Sequence, residues 1–314
     1  MAAWAERAAN AMLGAYVADA AALGFHWLYD PARIAEHAGA SATFHVPDNL
    51  AVAGTKFGVV HPGKTAGDLS HYGAQMRVMV RSLAATGGRF DLGDYQDRFG
   101  PGGDWVGYID KATRGTLANL ATGRREPSGA DDNQVPAVSK LPPLVAAAPE
   151  AEFFEVVDAA VTATNADDEA RAYARPCAAA LRAAYGGASV AEALKAGLAQ
   201  ATPDVAEALS AAMDSTENDP VVFAGEVGRS CPTPYAIPVI WHIAARAPDY
   251  RSAVEWNIRA GGDNCGRAPV LGALFAAEHG VGGAGVPVAW LMKLCEGRAL
   301  AAEIFELTSK LEAV

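Results

Sequence analysis

The stretch "AGGDNCGRAPVLGALFAAEHG", residues 260–280, sets two glycines and an Asp before a long apolar run. Gly261 and Gly262 suit a helix stop followed by a sharp turn. Asp263 then stands where a helix N-cap belongs, with Asn264 and Cys265 at the helix mouth. Upstream, "DYRSAVEWNIRAGG" predicts a helix capped by Asp249 and ended by the glycine pair. Outward from there the pattern stays helical. "AERAANAMLGAYVADAAAL" puts Ala9, Met12, Leu13, Tyr16, Ala20 and Leu23 on one stripe, and "SHYGAQMRVMVRSLAA" does the same with Met76, Met79, Val80 and Leu83. "SVAEALKAGLAQA" and "TPDVAEALSAAM" open on Ser and Thr caps, and "PEAEFFEVVDAAVTAT" on Pro149.

Only "KFGVVH" and "DPVVFAG" read as short β-like runs, and no alternation of strand and helix develops. Long connections at 54–69, 98–104, 123–143 and 280–287 carry Pro and Gly, as functional loops do. No repeat or low-complexity linker divides the chain, so the expectation is one all-α domain over residues 1–314.

The 314 residues are 51 % apolar and 19 % charged, a globular composition, with a net charge of −11. That charge, without any basic cluster, argues against nucleic acid or an anionic membrane as partner. No apolar run is read as long enough to cross a bilayer, and the N-terminus lacks the build of a signal peptide. Cys177, Cys231, Cys265 and Cys295 are scattered and fit reduced thiols of a cytoplasmic protein, not a zinc site.

Three stretches place reactive groups beside a helix start. They are "ADAAALGFHWLYD" with Asp19, His26 and Trp27, "GDLSHYGAQ" with Ser70, His71 and Tyr72, and the Asp263–Asn264–Cys265 run. Each has a plain reading as cap or core. Asp131, Asp132 and Asn133 read as solvated loop, and Trp105 and Tyr108 as packing between helices.

The order of these stretches resembles the ADP-ribosylglycohydrolase family, along nearly the whole chain. "GAYVADAAA" follows the family's Gly-Ala-x-x-Gly-Asp-Ala-x-Gly, with Ala18 and Ala22 in place of glycines. "GGDNCGRAPVLGALFAAEHGVGGAGVP" follows its late Gly-Gly-Asp-Thr-Asp-Thr pattern, and "SHYG" falls on its Thr-Asp-Asp-Thr. The resemblance implies an orthogonal multi-helix all-α fold with a two-magnesium site at central helix mouths. It also implies departures. Ser70, His71 and Tyr72 stand where the family has ligands, Cys265 replaces an Asp, Gly266 a Thr, and His26 an acidic residue. Thr164–Asn165 replaces a Thr-His pair. Magnesium needs carboxylate oxygens in octahedral array, so no metal and no cofactor are expected. "HWLYD", "SHYG", "SCPTPYAIP" and "GGDNCGRA" further resemble the divergent branch containing the J-type crystallins and selenoprotein J.

The implied pocket is expected to take a small polar or anionic ligand, with two helix N-termini and His26, Trp27, Ser70, Tyr72 and Asn264 around it. Two catalytic schemes follow for a metal-independent hydrolase-like or transferase-like enzyme. In one, His71 activates a Cys265 nucleophile at a helix mouth. In the other, Asp19 and Asp263 act as a carboxylate pair on a glycosidic bond. The competing class is a non-catalytic binding or crystallin-like structural protein. The sequence leaves a homo-oligomer open.

Overall fold

A computed structural model describes residues 2–104 and 107–311. The chain is all-helical, with 17 α-helices, 62 % of residues helical and no strands among the described residues. At its centre two helices cross, Ala2–Ala22 and Asn264–His279. Both are buried almost all round, which is why neither shows a strong polar face. Small residues make the crossing tight: a Cβ on Gly14 would overlap Ala276 Cβ and lie 2.8 Å from Gly272 O, and one on Gly272 would lie 2.6 Å from Gly14 O. The helices His71–Ala85, Asp168–Gly186, Thr233–Ala244, Tyr250–Arg259 and Gly297–Leu311 pack around this pair on one continuous apolar core.

Caps follow the sequence signals in most places. Ser189 closes a capping box with Glu192, and Asp249 accepts from Ser252 N–H at 2.7 Å. The glycine pair ends the Tyr250–Arg259 helix with φ of 75° and 68°. At Gly262 a side chain would also run into Arg229 backbone. That turn matters to function, because Gly262 exchanges backbone bonds with Trp27 and Leu28 at 2.9 and 2.7 Å. It thereby fixes the end of the first helix against the start of the last central one.

Several expectations need correction: "KFGVVH" forms bends rather than a strand, and the helix of "PEAEFFEVVDAAVTAT" starts at Phe153, past Pro149. "DPVVFAG" is not extended: Asp219 caps a helix, Pro220–Val227, with Pro in its first turn, so the β-branched pair yields to the capping signal. Asp132 is buried rather than solvated, 3.0 Å from Lys111 Nζ. The segment Ala3–Phe25 is long and apolar enough to cross a membrane by length and composition, with 83 % of its window buried inside this fold. Trp105 lies outside the described residues.

Candidate functional site

The mouths of His71–Ala85 and Asn264–His279 meet near the end of the first helix, where Asp19 and Asp263 stand. Asp19 accepts from Ser70 N–H at 2.8 Å and from the Ser70 hydroxyl, while Ser70 Oγ in turn caps its own helix by accepting from Tyr72 N–H. Gly73 allows this approach, since a Cβ there would collide with the Asp19 carboxylate. Burial pushes the Asp19 carboxyl up to about 6, against the Ser70 hydrogen bonds that lower it.

Asp263 gathers more partners. It caps its helix through Gly266 N–H at 3.2 Å, accepts from Tyr72 OH at 2.8 Å, and accepts from His26 Nε2 at 3.0 Å. Burial alone would raise its carboxyl. The His26 and Tyr72 bonds, helped by the buried Arg267, overcome that and hold it at about 2. Arg267 in turn is clamped by Asn257 Oδ1 at 2.7 Å and by Gly261 O at 2.6 Å, so the glycine turn and the carboxylate share one scaffold.

Three histidines converge beneath this shelf. His26, His61 and His71 are all buried, and one ring nitrogen from each lies within 4.8 Å of the others. His26 Nδ1 is 2.7 Å from His61 Nε2. His71 Nε2 lies 3.2 Å from Asp110 Oδ2, an ion-pair contact that misses hydrogen-bond alignment, and His71 Nδ1 has no hydrogen-bond partner. Asp110 is itself the N-cap of Lys111–Ala121, accepting from Thr113 N–H at 2.6 Å. Burial lowers the pKa of both His26 and His61 below the ordinary imidazole value, so both rings are neutral at pH 7. Among the described residues, these three could hold a metal ion.

Above the histidines lies an aromatic wall. Trp27, Tyr29 and Phe57 line two adjoining hollows of about 580 and 310 Å³. Arg33 and Lys56 flank the first; Lys111 and Arg114, with Tyr108, flank the second. The Trp27 ring packs 4.7 Å from His26, 5.7 Å from Phe57 and 5.1 Å from Tyr108. Trp27 has φ 58°, in the left-handed region where a bulky residue is strained by about 1–3 kcal/mol. The Gly262 backbone bond holds it there.

The structure brings Asp19, Ser70, His71, Tyr72, His26, Trp27 and Asp263 together, but most of them below the cleft. Trp27 is the one member of that set lining the hollows. Asn264 is fully buried and donates to Ala22 O at 3.3 Å, which makes it a tie between the central helices rather than a ligand contact. The expected anion seat at the helix mouths is already filled by the chain's own Asp19 and Asp263. The expected Cys265 nucleophile is also corrected. Its thiol is fully buried, faces Asp19 O at 3.8 Å, and is pushed well above the usual thiol range by burial and by the charges of Asp19 and Asp263. Among the described residues no hydrogen bond joins it to His71. Burial and the carboxylates outweigh the helix mouth.

Asp19 and Asp263 are fully buried and internally bonded as well, which keeps them from a substrate in this conformation. Sequence reading missed His61, Asp110, Lys140 and Arg267. Asp110 had a usable signal, an Asp three residues before a Thr at a helix start. Lys140 is fully buried, with Nζ bonded to Pro136 O at 3.1 Å and to Thr164, and burial lowers its amine to about 7.

A helical fold built on two crossed central helices, with acidic and polar groups at their joined mouths, defines a class. The chain belongs to the ADP-ribosylglycohydrolase family, whose description matches residues 1–313. It is similar to Crystallin J1A of Tripedalia cystophora, at 26 % identity over 94 % of each chain. It is similar in fold to a solved ADP-ribosylglycohydrolase-related protein complex, with TM-score 0.70 and 21 % identity over 99 % of this chain and 100 % of the other.

Proposed function

We propose that this family member binds a small ligand with a flat ring and an anionic group in the Trp27–Phe57 cleft, and that it does not run a two-magnesium hydrolysis. One observation carries the reading: a strained aromatic wall shared by two hollows, each flanked by cationic side chains. Rings stack on such walls, and Lys56 and Arg114 supply charge complementarity. The donor set supports the second half. Both oxygens of Asp19 are bound to Ser70, and those of Asp263 to His26, Gly266 and Tyr72. The other groups nearby are imidazole, phenol and thiol, with the Asp110 carboxylate committed to its helix cap and to His71, a set that does not suit octahedral magnesium.

If chemistry accompanies binding, it requires an opening of this conformation, since His71, oriented by Asp110, is sealed along with Cys265 and the Asp pair. A non-catalytic, crystallin-like role is the second reading, favoured by the crystallin relative and by a site whose carboxylates serve as helix caps. Thermal melting with ADP-ribose, AMP and ribose 5-phosphate tests the cleft. At 100-fold excess over Kd, a site ligand should stabilise the fold by about 2.7 kcal/mol. Trp27→Ala should abolish the shift. No shift with any of the three at millimolar concentration sinks the ligand reading and leaves the structural one.

A further inference from the structure

We propose that His26, His61 and His71 form a binding site for a divalent transition-metal ion of the zinc class, ligated through His26 Nδ1, His61 Nε2 and His71 Nδ1. The site is distinct in ligands from any magnesium centre, and it stands independently of the cleft's ligand.

The tautomers supply the first reason. A carboxylate only accepts, so His26 Nε2 must carry the proton it gives to Asp263, and this leaves Nδ1 as a lone pair facing His61. His71 Nε2 lies 3.2 Å from Asp110 Oδ2 without hydrogen-bond alignment; the carboxylate charge favours the proton on Nε2, which leaves the unpartnered Nδ1 as a second buried lone pair. A buried lone pair without a donor, as at His71 Nδ1, is costly, and one metal ion would satisfy it while taking the place of the His26–His61 contact. Two of three ligands therefore have the carboxylate behind the ring that metal-binding histidines commonly show.

Geometry and charge agree. Ligands 2.0–2.1 Å from a tetrahedral ion sit roughly 3.4 Å apart. The present 2.7 Å between His26 Nδ1 and His61 Nε2 is a shared-proton contact, which the ion would replace after a shift of roughly 0.7 Å. His61 lies in irregular chain between the helices Pro31–Ala38 and His71–Ala85, so that shift bends no helix. Asp263, 3.0 Å from His26 Nε2, and Asp110, 3.2 Å from His71 Nε2, offset the two positive charges, with Arg267 and Lys64 acting in the opposite sense. Three imidazoles favour zinc, cobalt, nickel or copper over magnesium. A fourth position is left for water or a ligand atom.

The test is a cobalt(II) titration of the full, tag-free chain, with zinc then competing for the site and magnesium as control. The expected result is one cobalt per chain with visible bands of four-coordinate nitrogen ligation and no thiolate charge-transfer band. Zinc should displace it; magnesium should not. His61→Asn should abolish binding, and Asp110→Asn should weaken it about 10–100-fold, as loss of an outer carboxylate does. Cys295→Ser, which removes the exposed thiol, should change nothing. Absence of stoichiometric binding overturns the proposal. So does a thiolate band, or binding retained in His61→Asn. If that variant fails to fold, the bands of the unmodified protein and zinc protection of its histidines from acylation still decide between histidine and cysteine ligation.

Discussion

Tyr72→Phe removes one hydroxyl from the fully buried network and leaves the ring in place. That hydroxyl donates to Asp263 at 2.8 Å, beside the bonds from His26 and Gly266. A hydrogen bond to an ionised group is worth about 1.5–3 kcal/mol, and part of the loss is the carboxylate left short of a donor. The variant should therefore lose roughly 2 kcal/mol at pH 7, read as a lower midpoint in urea at unchanged slope. The pH dependence separates this cause from lost packing. Asp263 has a folded pKa depressed from 3.8 to about 2, so its ionised form contributes stability above pH 4 that is lost as pH falls through 2. The Phe variant raises that folded pKa, so the gap between the two proteins should narrow between pH 4 and pH 2. A loss under about 0.5 kcal/mol, or a gap that holds constant across that window, would refute the account of Asp263 as the organising charge.

Gly14→Ala should cost about 1–3 kcal/mol by overpacking the central crossing, seen as a lower melting temperature, whereas Gly186→Ala, with open space around its Cβ position, should cost nothing measurable. Thiol labelling of the native protein should modify Cys295 first, with Cys177 and Cys265 protected until unfolding. Rapid native labelling of Cys265 would restore the nucleophile scheme. Lys140 has a folded pKa lowered from 10.5 to about 7, so the unfolded chain binds the extra proton between those values. Stability should climb as pH rises from 7 toward 10, and Lys140→Met should flatten that climb in denaturation curves measured across the range.

Much of the architecture was legible because helices advertise themselves locally. Apolar stripes, Ser189, Asp249 and the Gly261–Gly262 stop are all written within a few residues of where they act. The polar mouth was legible for the same reason: Ser70 and Asp263 are caps. What failed depended on three-dimensional surroundings. Cys265 at a helix start suggested a lowered thiol pKa, but burial, with two nearby carboxylates adding to it, reverses that sign, and neither is a property of the local sequence. His61 sits 35 residues from its partner His26 in a stretch with no periodicity to place it. "DPVVFAG" misled because its β-branched residues were weighed above the Asp-Pro start.

The two carboxylates at the centre of the molecule have one consequence for how such chains are interpreted. Asp19 anchors the start of the His71–Ala85 helix and Asp263 that of Asn264–His279, at the joined helix mouths. Neither could be discarded without loosening the framework, whatever the pocket does. An aspartate found at either position in another member is therefore poor testimony about activity; the company it keeps, and whether its oxygens are free, says far more.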